Sequence, residues 1–475
     1  MNRFFILSLV GLSFVTRLPA AETPPNFVVI LAEAQGWASM SAPQDDRHPE
    51  ASRSDFIRTP TLDALAERGA RFSDFYAASP RCTPTRAALV TGRNPAALKM
   101  TFVNEGKKDG LVQPGDRVIQ PTCITELPAG IATLATLLKQ QGYATAHFGK
   151  WHLGRANPRE HGYDENDGAN SNGGPDEVED PNPKQCYAIA EQGMAFMDRQ
   201  VKARRPFLLQ LSQYPGRGPV TAREDTLEAV RRRLGTRMDF QRIGLAAGNE
   251  EIDKSLGLVV EKLRALGALE NTYIIYTADH GAQGNKANGV LNQGKGSVWE
   301  GGLRVPLLIS GPHIPPRLFC HAPASTMDVL PTILELARCS LPVPGLEGSS
   351  LVPLLRGAQE LRRSQDSLVI HFPHYDKDPL GPASALYWQH WKLIRFYETD
   401  QRLLFDLSGD IEERKDQAKE QPQIAAQLDH RLTTYLNQVH ADLPRPNPNY
   451  DPEGARSGDR RGGQGPGKKG NPKAQ

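Results

Sequence analysis

From Asn26 to Ala32 the chain runs apolar without alternation, and such a run predicts a strand buried on both faces. Pro206 to Leu211 repeats the pattern after a helix-like stretch, and Val305 to Ile309 repeats it again. Thr272 to Thr277 follows Ile252 to Leu266, where Ile252, Leu256, Val259, Val260 and Leu263 share helical spacing. Strands alternating with amphipathic helices predict an α/β fold, a mostly parallel sheet flanked by helices. Ligands bind such sheets at the carboxyl ends of strands, so the residues just after each strand are the first candidates for chemistry.

After Gly357 the texture changes. Leu368 to Phe372, Ala385 to Trp388, Lys392 to Tyr397 and Leu403 to Leu407 are short strand-like runs with no helix between them, which predicts a small antiparallel sheet. Ile424 to Val439 then has helical spacing through Ile424, Leu428, Leu432, Tyr435 and Leu436. Beyond Pro444 almost nothing is apolar. The expected organisation is a leader at 1–21, a large α/β domain at 22–357, a small α+β domain at 358–443 and a disordered, basic, Gly/Pro-rich tail at 444–475.

Composition refines this picture at three points. The chain has 475 residues and a net charge of +2. The tail carries seven basic residues against three acidic ones and the leader two arginines, so the body is mildly acidic and presents no nucleic-acid stripe. Arg3, the apolar stretch Phe4 to Val15 and the small residues of Leu18-Pro19-Ala20-Ala21 predict an export signal and a periplasmic or secreted protein. An uncleaved N-terminal anchor is the alternative, although the stretch is short of the about 20 residues a bilayer needs. No later segment predicts stable membrane insertion. Cysteines stand at 82, 123, 186, 320 and 339; with Cys82 set aside, the other four permit three pairings.

Cys82 is set aside because of its surroundings. Cys82-Thr83-Pro84-Thr85-Arg86, with Thr91-Gly92-Arg93 after it, places a cysteine on a turn at the start of a helix. A thiol there, beside an arginine, has a lowered pKa, whereas an isolated Cys-x-Pro-x-Arg is as readily a buried structural cysteine. The segment resembles the motif of type I sulfatases, whose cysteine is oxidised to formylglycine. Thr59 to Gly69, Gly149-Lys150-Trp151-His152-Leu153-Gly154 and Lys295-Gly296-Ser297-Val298-Trp299-Glu300-Gly301-Gly302-Leu303-Arg304-Val305-Pro306 resemble the same family. The likeness runs from residue 26 to about 440 and implies an alkaline-phosphatase-like α/β domain followed by a small sheet domain.

The resemblance also implies a chemistry. One hydroxyl of the hydrated aldehyde attacks the sulfur of a sulfate ester, and the other collapses to expel sulfate, a release that serine or cysteine does not offer. On this reading Arg86 holds the nucleophile and the charge on its metal side. His152 is the base, and Lys150 and Lys295 bind the sulfate oxygens. Arg217 aligns with a histidine that contacts sulfate in relatives. The implied cofactors are one divalent ion (Ca²⁺ by resemblance) and the formylglycine itself. The implied partners are a sulfated small molecule or polysaccharide and a formylglycine-generating or anaerobic maturation enzyme.

Two departures from the family pattern bear on the metal. Paired aspartates follow the first strand in most relatives, whereas this chain has Glu33-Ala34; the usual Asp-Asn pair is Asp279-His280. The expected ligands are therefore Glu33, Cys82 as formylglycine, Asp279 and His280. The imidazole favours Mn²⁺ or Zn²⁺ over the all-oxygen preference of Ca²⁺. Two other readings remain open: a phosphodiester or phosphonate hydrolase, for which Asp279-His280 speaks, and a degenerate relative that only binds sulfated ligands, for which Ala34 speaks. Gly168 to Asn182 is expected to form a loop near the pocket mouth.

Overall fold

The computed structural model describes residues 23–103, 112–171, 185–214, 222–235, 239–284, 287–340 and 342–457. The expected leader, Arg217 and most of the Gly168 to Asn182 loop lie outside the described residues.

The apolar run opening the chain is β1 (Asn26–Ala32), and the sheet grows around it. In chain order the further strands are β2 (Gly69–Phe72), β3 (Ala144–Gly149), β4 (Glu165–Asn166), β5 (Phe207–Ser212), β6 (Thr272–Ala278), β7 (Leu307–Ser310) and β8 (Leu318–Cys320). Their order across the sheet is β8-β2-β7-β6-β1-β5-β3-β4. β1 pairs in parallel with both β5 and β6, Val29 lying opposite Gln210 on one side and Ile275 on the other. Only β7 runs antiparallel to its neighbours.

Because side chains alternate along a strand, β1 feeds two cores. Phe27, Val29 and Leu31 pack on one face with the helices Cys82–Thr91, Leu134–Gln140 and Val329–Leu336. Val28, Ile30 and Ala32 pack on the other with Pro60–Glu67, Cys186–Lys202 and Phe240–Ala265. That last helix starts well before the predicted Ile252, at a cap where the Asp239 side chain accepts from the Arg242 amide at 2.8 Å.

The C-terminal sheet is antiparallel, with β9 (Leu368–Phe372), β10 (Ala383–Trp388), β11 (Trp391–Phe396) and β12 (Arg402–Asp406) in sequential order. Helix Pro422–Gln438 covers one face through Leu428, Leu432, Tyr435 and Leu436. The other face, with Ile370, Ala385, Tyr387 and Ile394, packs on Tyr76, Val298, Trp299 and Leu303.

A fully buried charge cluster marks this junction. Lys392 Nζ on β11 donates to Glu300 at 3.0 Å and to Glu413 at 2.6 Å, and the Glu300 amide donates to Glu413 at 2.7 Å. Burial, aided by Glu300, pushes the Glu413 carboxyl up to about 7 against the pull of Lys392. Lys392→Ala leaves two buried acids facing one another and is expected to cost about 3–5 kcal/mol, measured as a lower midpoint in denaturant unfolding.

Residues 444–457, expected to belong to a disordered tail, are placed against the rest of the fold. Arg445–Pro446 pair antiparallel with Val118–Ile119, and Asp116 draws in the rest. Its carbonyl accepts from Asn447 Nδ2 and its carboxylate from the Ser457 amide, both at 2.8 Å. Backbone pairing and one buried carboxylate fix a segment with few apolar residues; residues 458–475 lie outside the described residues. No disulfide joins any of the five cysteines.

Candidate functional site

Three parallel strands deliver the site residues from their carboxyl ends. Glu33 follows β1, Asp279 and His280 follow β6, and Lys150 follows β3. Gly149 permits the last turn: its φ is +96°, and a Cβ there would collide with the Ser212 carbonyl. Two non-glycine residues also take positive φ, Ala34 at 55° and His152 at 56°. Such strain persists only where the surroundings hold it. Here the His152 amide donates to the Asn170 carbonyl at 2.9 Å, and its own carbonyl accepts from Thr83 Oγ1 at 2.9 Å.

Cys82 opens the helix Cys82–Thr91, and Arg86 lies four residues on, so both side chains share one helix face. Thr85 fastens the entry turn by donating from Oγ1 to the Ser79 carbonyl at 2.8 Å. Pro84 lies in the first turn, where its missing N–H costs no helix hydrogen bond.

At the centre is Glu33. Its Oε2 accepts from Lys150 Nζ at 2.6 Å and from Arg86 Nη2 at 3.3 Å; its Oε1 accepts from Lys295 Nζ at 3.1 Å. Cys82 Sγ lies 3.4 Å from Glu33 Oε1, 3.3 Å from His280 Nε2 and 3.7 Å from Lys295 Nζ. Arg86 also donates to Asp279 Oδ2 from Nε at 3.1 Å and from Nη2 at 3.0 Å. The Ala34 amide donates to Asp279 Oδ1 at 3.1 Å, so the residue that lacks a ligating side chain still orients a carboxylate. All eight of Glu33, Cys82, Arg86, Lys150, His152, Asp279, His280 and Lys295 are buried.

Charge in this dry cage sets the protonation states. Burial and Glu33 would both raise the Cys82 thiol, but Lys150, Lys295 and His280 overcome them and hold it well below the usual range. Burial would likewise raise Glu33, yet the two lysines bring it well down. Asp279 ends at about 6, raised by burial and by Glu33. Burial lowers His152, against its contact with Cys82.

The donor set fits a metal ion. One atom each from Glu33, Cys82, Asp279 and His280 lie within 4.8 Å of one another. Donors on opposite sides of an ion bound at about 2.0–2.4 Å lie about 4–4.8 Å apart. His280 Nδ1 lies 3.0 Å from the Gly281 carbonyl, a contact that orients the ring with Nε2 facing Cys82.

The structure thus gathers every site residue singled out in the sequence except Arg217, which lies outside the described residues. Asn288 carried no sequence signal beyond a Gly/Asn-rich loop. Its buried Nδ2 donates to the carbonyls of Ala282, Gly284 and Gln293 at 3.2, 2.9 and 3.1 Å, tying the loop after His280 to the loop carrying Lys295.

Comparison with known proteins shows what the chain is similar to. A family profile described as Sulfatase matches residues 25–339, and one described as N-sulphoglucosamine sulphohydrolase, C-terminal, matches residues 293–441. Arylsulfatase A of Bos taurus is 30% identical over 78% of this chain and 76% of its own length. N-acetylgalactosamine-6-sulfatase of Canis lupus familiaris is 30% identical over 74% of this chain and 69% of its own. The solved structure of Ps i-CgsB in complex with k-i-k-neocarrahexaose superposes with a TM-score of 0.71 at 24% identity, covering 87% of this chain and 93% of that one.

Proposed function

The chain belongs to the sulfatase family and is a sulfuric ester hydrolase, and we propose that it hydrolyses carbohydrate or aryl sulfates through a formylglycine made from Cys82. The observation carrying this reading is the cage itself: Cys82 at a helix start, Lys295 Nζ 3.7 Å from its Sγ, Lys150 on the neighbouring Glu33, and a four-donor metal site that includes Cys82. When bound, a divalent ion adds Lewis acidity beside the formylglycine hydroxyls.

The protein's own groups do the rest. Lys150 and Lys295 hold the sulfate oxygens and offset the charge that moves towards the leaving oxygen. His152, kept neutral by burial, accepts a proton from the nucleophile at position 82. Arg86 orients Glu33 and Asp279, and their burial excludes competing water. Arg217 remains part of this proposal as a sulfate contact.

Glu33, Asp279, His280 through Nε2 and the group made from Cys82 would hold the ion, and the imidazole favours Mn²⁺ or Zn²⁺ over Ca²⁺. The triple substitution Glu33→Asp, Ala34→Asp, His280→Asn is expected to shift activity and bound metal from Mn²⁺ towards Ca²⁺, checked by metal analysis and by rates in each ion. Intact donors and an Ala34 amide employed on Asp279 favour catalysis over a binding-only relative. The sulfatase matches give the phosphodiester or phosphonate reading no support. Export to the periplasm or beyond rests on the Arg3 to Ala21 leader; among the described residues no helix is long and apolar enough to cross a membrane.

The test is co-expression with a formylglycine-generating enzyme, followed by sulfate-release assays on nitrophenyl sulfate and sulfated sugars with Mn²⁺ or Ca²⁺. Turnover supports the proposal. A protein that carries the aldehyde and bound metal yet releases no sulfate from any of these contradicts it.

A further inference from the structure

A charged pair sits beside the cage, and none of the family-like motifs contains it whole. Arg81 immediately precedes Cys82, and its Nε and Nη2 both donate to the carboxylate of Asp376. Asp376 lies between β9 and β10, so it is contributed by the C-terminal domain. The two side chains are 15% and 10% exposed, shielded but not sealed in the core.

The same carboxylate rests on the loop that carries Lys295. Gly296 has a φ of +87°, and a Cβ there would collide with Asp376, so only glycine admits the carboxylate this closely. The Gly296 amide donates to the Pro80 carbonyl at 3.1 Å, joining that loop to the segment entering Cys82. Asp376 therefore touches the chain neighbours of both Cys82 and Lys295. Beside the pair, the half-buried Phe102 ring lies 5.8 Å from the Arg81 guanidinium and 4.9 Å from the His374 ring. Lys377, next in sequence to Asp376, is exposed.

A guanidinium and a carboxylate locked side by side offer donors and acceptors in fixed geometry. The fork uses two guanidinium nitrogens, and among the described residues Arg81 Nη1 has no hydrogen-bond partner. Each Asp376 oxygen accepts one bond from the fork and keeps a further lone pair. A polyol satisfies both halves: one hydroxyl donates to the carboxylate, an oxygen accepts from Nη1, and an apolar ring face lies against an aromatic side chain. A plain aryl ring offers no hydroxyl for this.

We propose that Arg81 and Asp376 form the part of the substrate site that receives the hydroxyl-bearing ring of a carbohydrate sulfate, selecting sugar sulfates over aryl sulfates. This rests on the sulfate-ester reading given above. The test compares formylglycine-bearing wild type with Asp376→Asn and Asp376→Ser on nitrophenyl sulfate and on sulfated galactose, N-acetylglucosamine and N-acetylgalactosamine. Loss of charged hydrogen bonds to the ring is expected to lower kcat/KM on the best sugar at least about tenfold further than on the aryl ester, mainly through KM. The unsulfated form of that sugar is expected to inhibit wild-type aryl hydrolysis competitively and the variants more weakly, a readout that a purely structural clamp does not move. Equal losses on both substrate classes overturn the inference, as does a wild type that cleaves the aryl ester and none of the sugars. If wild type releases sulfate from neither class, the sulfate-ester reading itself falls, so the two failures are distinguishable.

Discussion

Replacement of Cys82 by alanine is expected to lower sulfate-ester turnover on the order of 10⁴-fold or more, because it removes the reacting group while leaving its supports in place. The supports are independent of Sγ: Thr83 holds the His152 carbonyl, Thr85 caps the turn, and Arg86 is anchored on Asp279. The variant is therefore expected to keep its circular dichroism spectrum and a cooperative unfolding transition. Steady-state rates on nitrophenyl sulfate and a sulfated sugar, beside an unfolding curve, separate the two effects. Turnover within tenfold of wild type in a folded Cys82→Ala protein would mean that the nucleophile lies elsewhere.

Glu33→Gln carries the second large effect. Both carboxylate oxygens of Glu33 are engaged by cations, and one of them also lies within the metal donor set. The amide keeps the shape but removes the charge opposing Lys150, Lys295 and Arg86, so three buried cations are left with Asp279 as the one neighbouring carboxylate named in the cage. The expected outcome is loss of stoichiometric metal and a fall in turnover of about 10²-fold or more, the scale on which even supporting groups around metals act. Elemental analysis of purified wild type and variant, with rates in excess Mn²⁺, checks both halves. A variant that retains one ion per chain and near-normal rates removes Glu33 from the metal site.

How far the chain announces this site depends on how local each feature is. β1 and β6 are evident because both faces of each strand are buried, which leaves an apolar run that any window detects. The four C-terminal strands are legible for their spacing, within a residue or two at each end. The two-residue strand Glu165–Asn166 and the four-residue strand Gly69–Phe72 are too short to show a period. The antiparallel direction of β7 is a property of its partners rather than of the run Val305 to Ile309. Cys82, Lys150, His152 and Lys295 are legible because each sits in a motif several residues long. Asp376 is not, since its meeting with Arg81 and Gly296 joins segments far apart in sequence and leaves no pattern along the chain. The pairing of Arg445–Pro446 with Val118–Ile119 is hidden for the same reason, whereas Asn288 bonds only near neighbours and is hidden because an irregular Gly/Asn-rich loop shows no period.

Hydrolysis of sulfate esters is proposed to depend on the group made from Cys82, held in this cage. This dependence is tested most directly by preparing the protein with graded amounts of the maturation enzyme and measuring two quantities on each sample. Peptide mass spectrometry gives the fraction of residue 82 present as formylglycine, and ion chromatography gives the sulfate released from a sulfated sugar or nitrophenyl sulfate in Mn²⁺. The rate is expected to rise in proportion to the formylglycine fraction and to extrapolate to zero where only the thiol remains. A rate independent of that fraction, or no sulfate release from a sample fully converted and metal-loaded, would contradict the proposal.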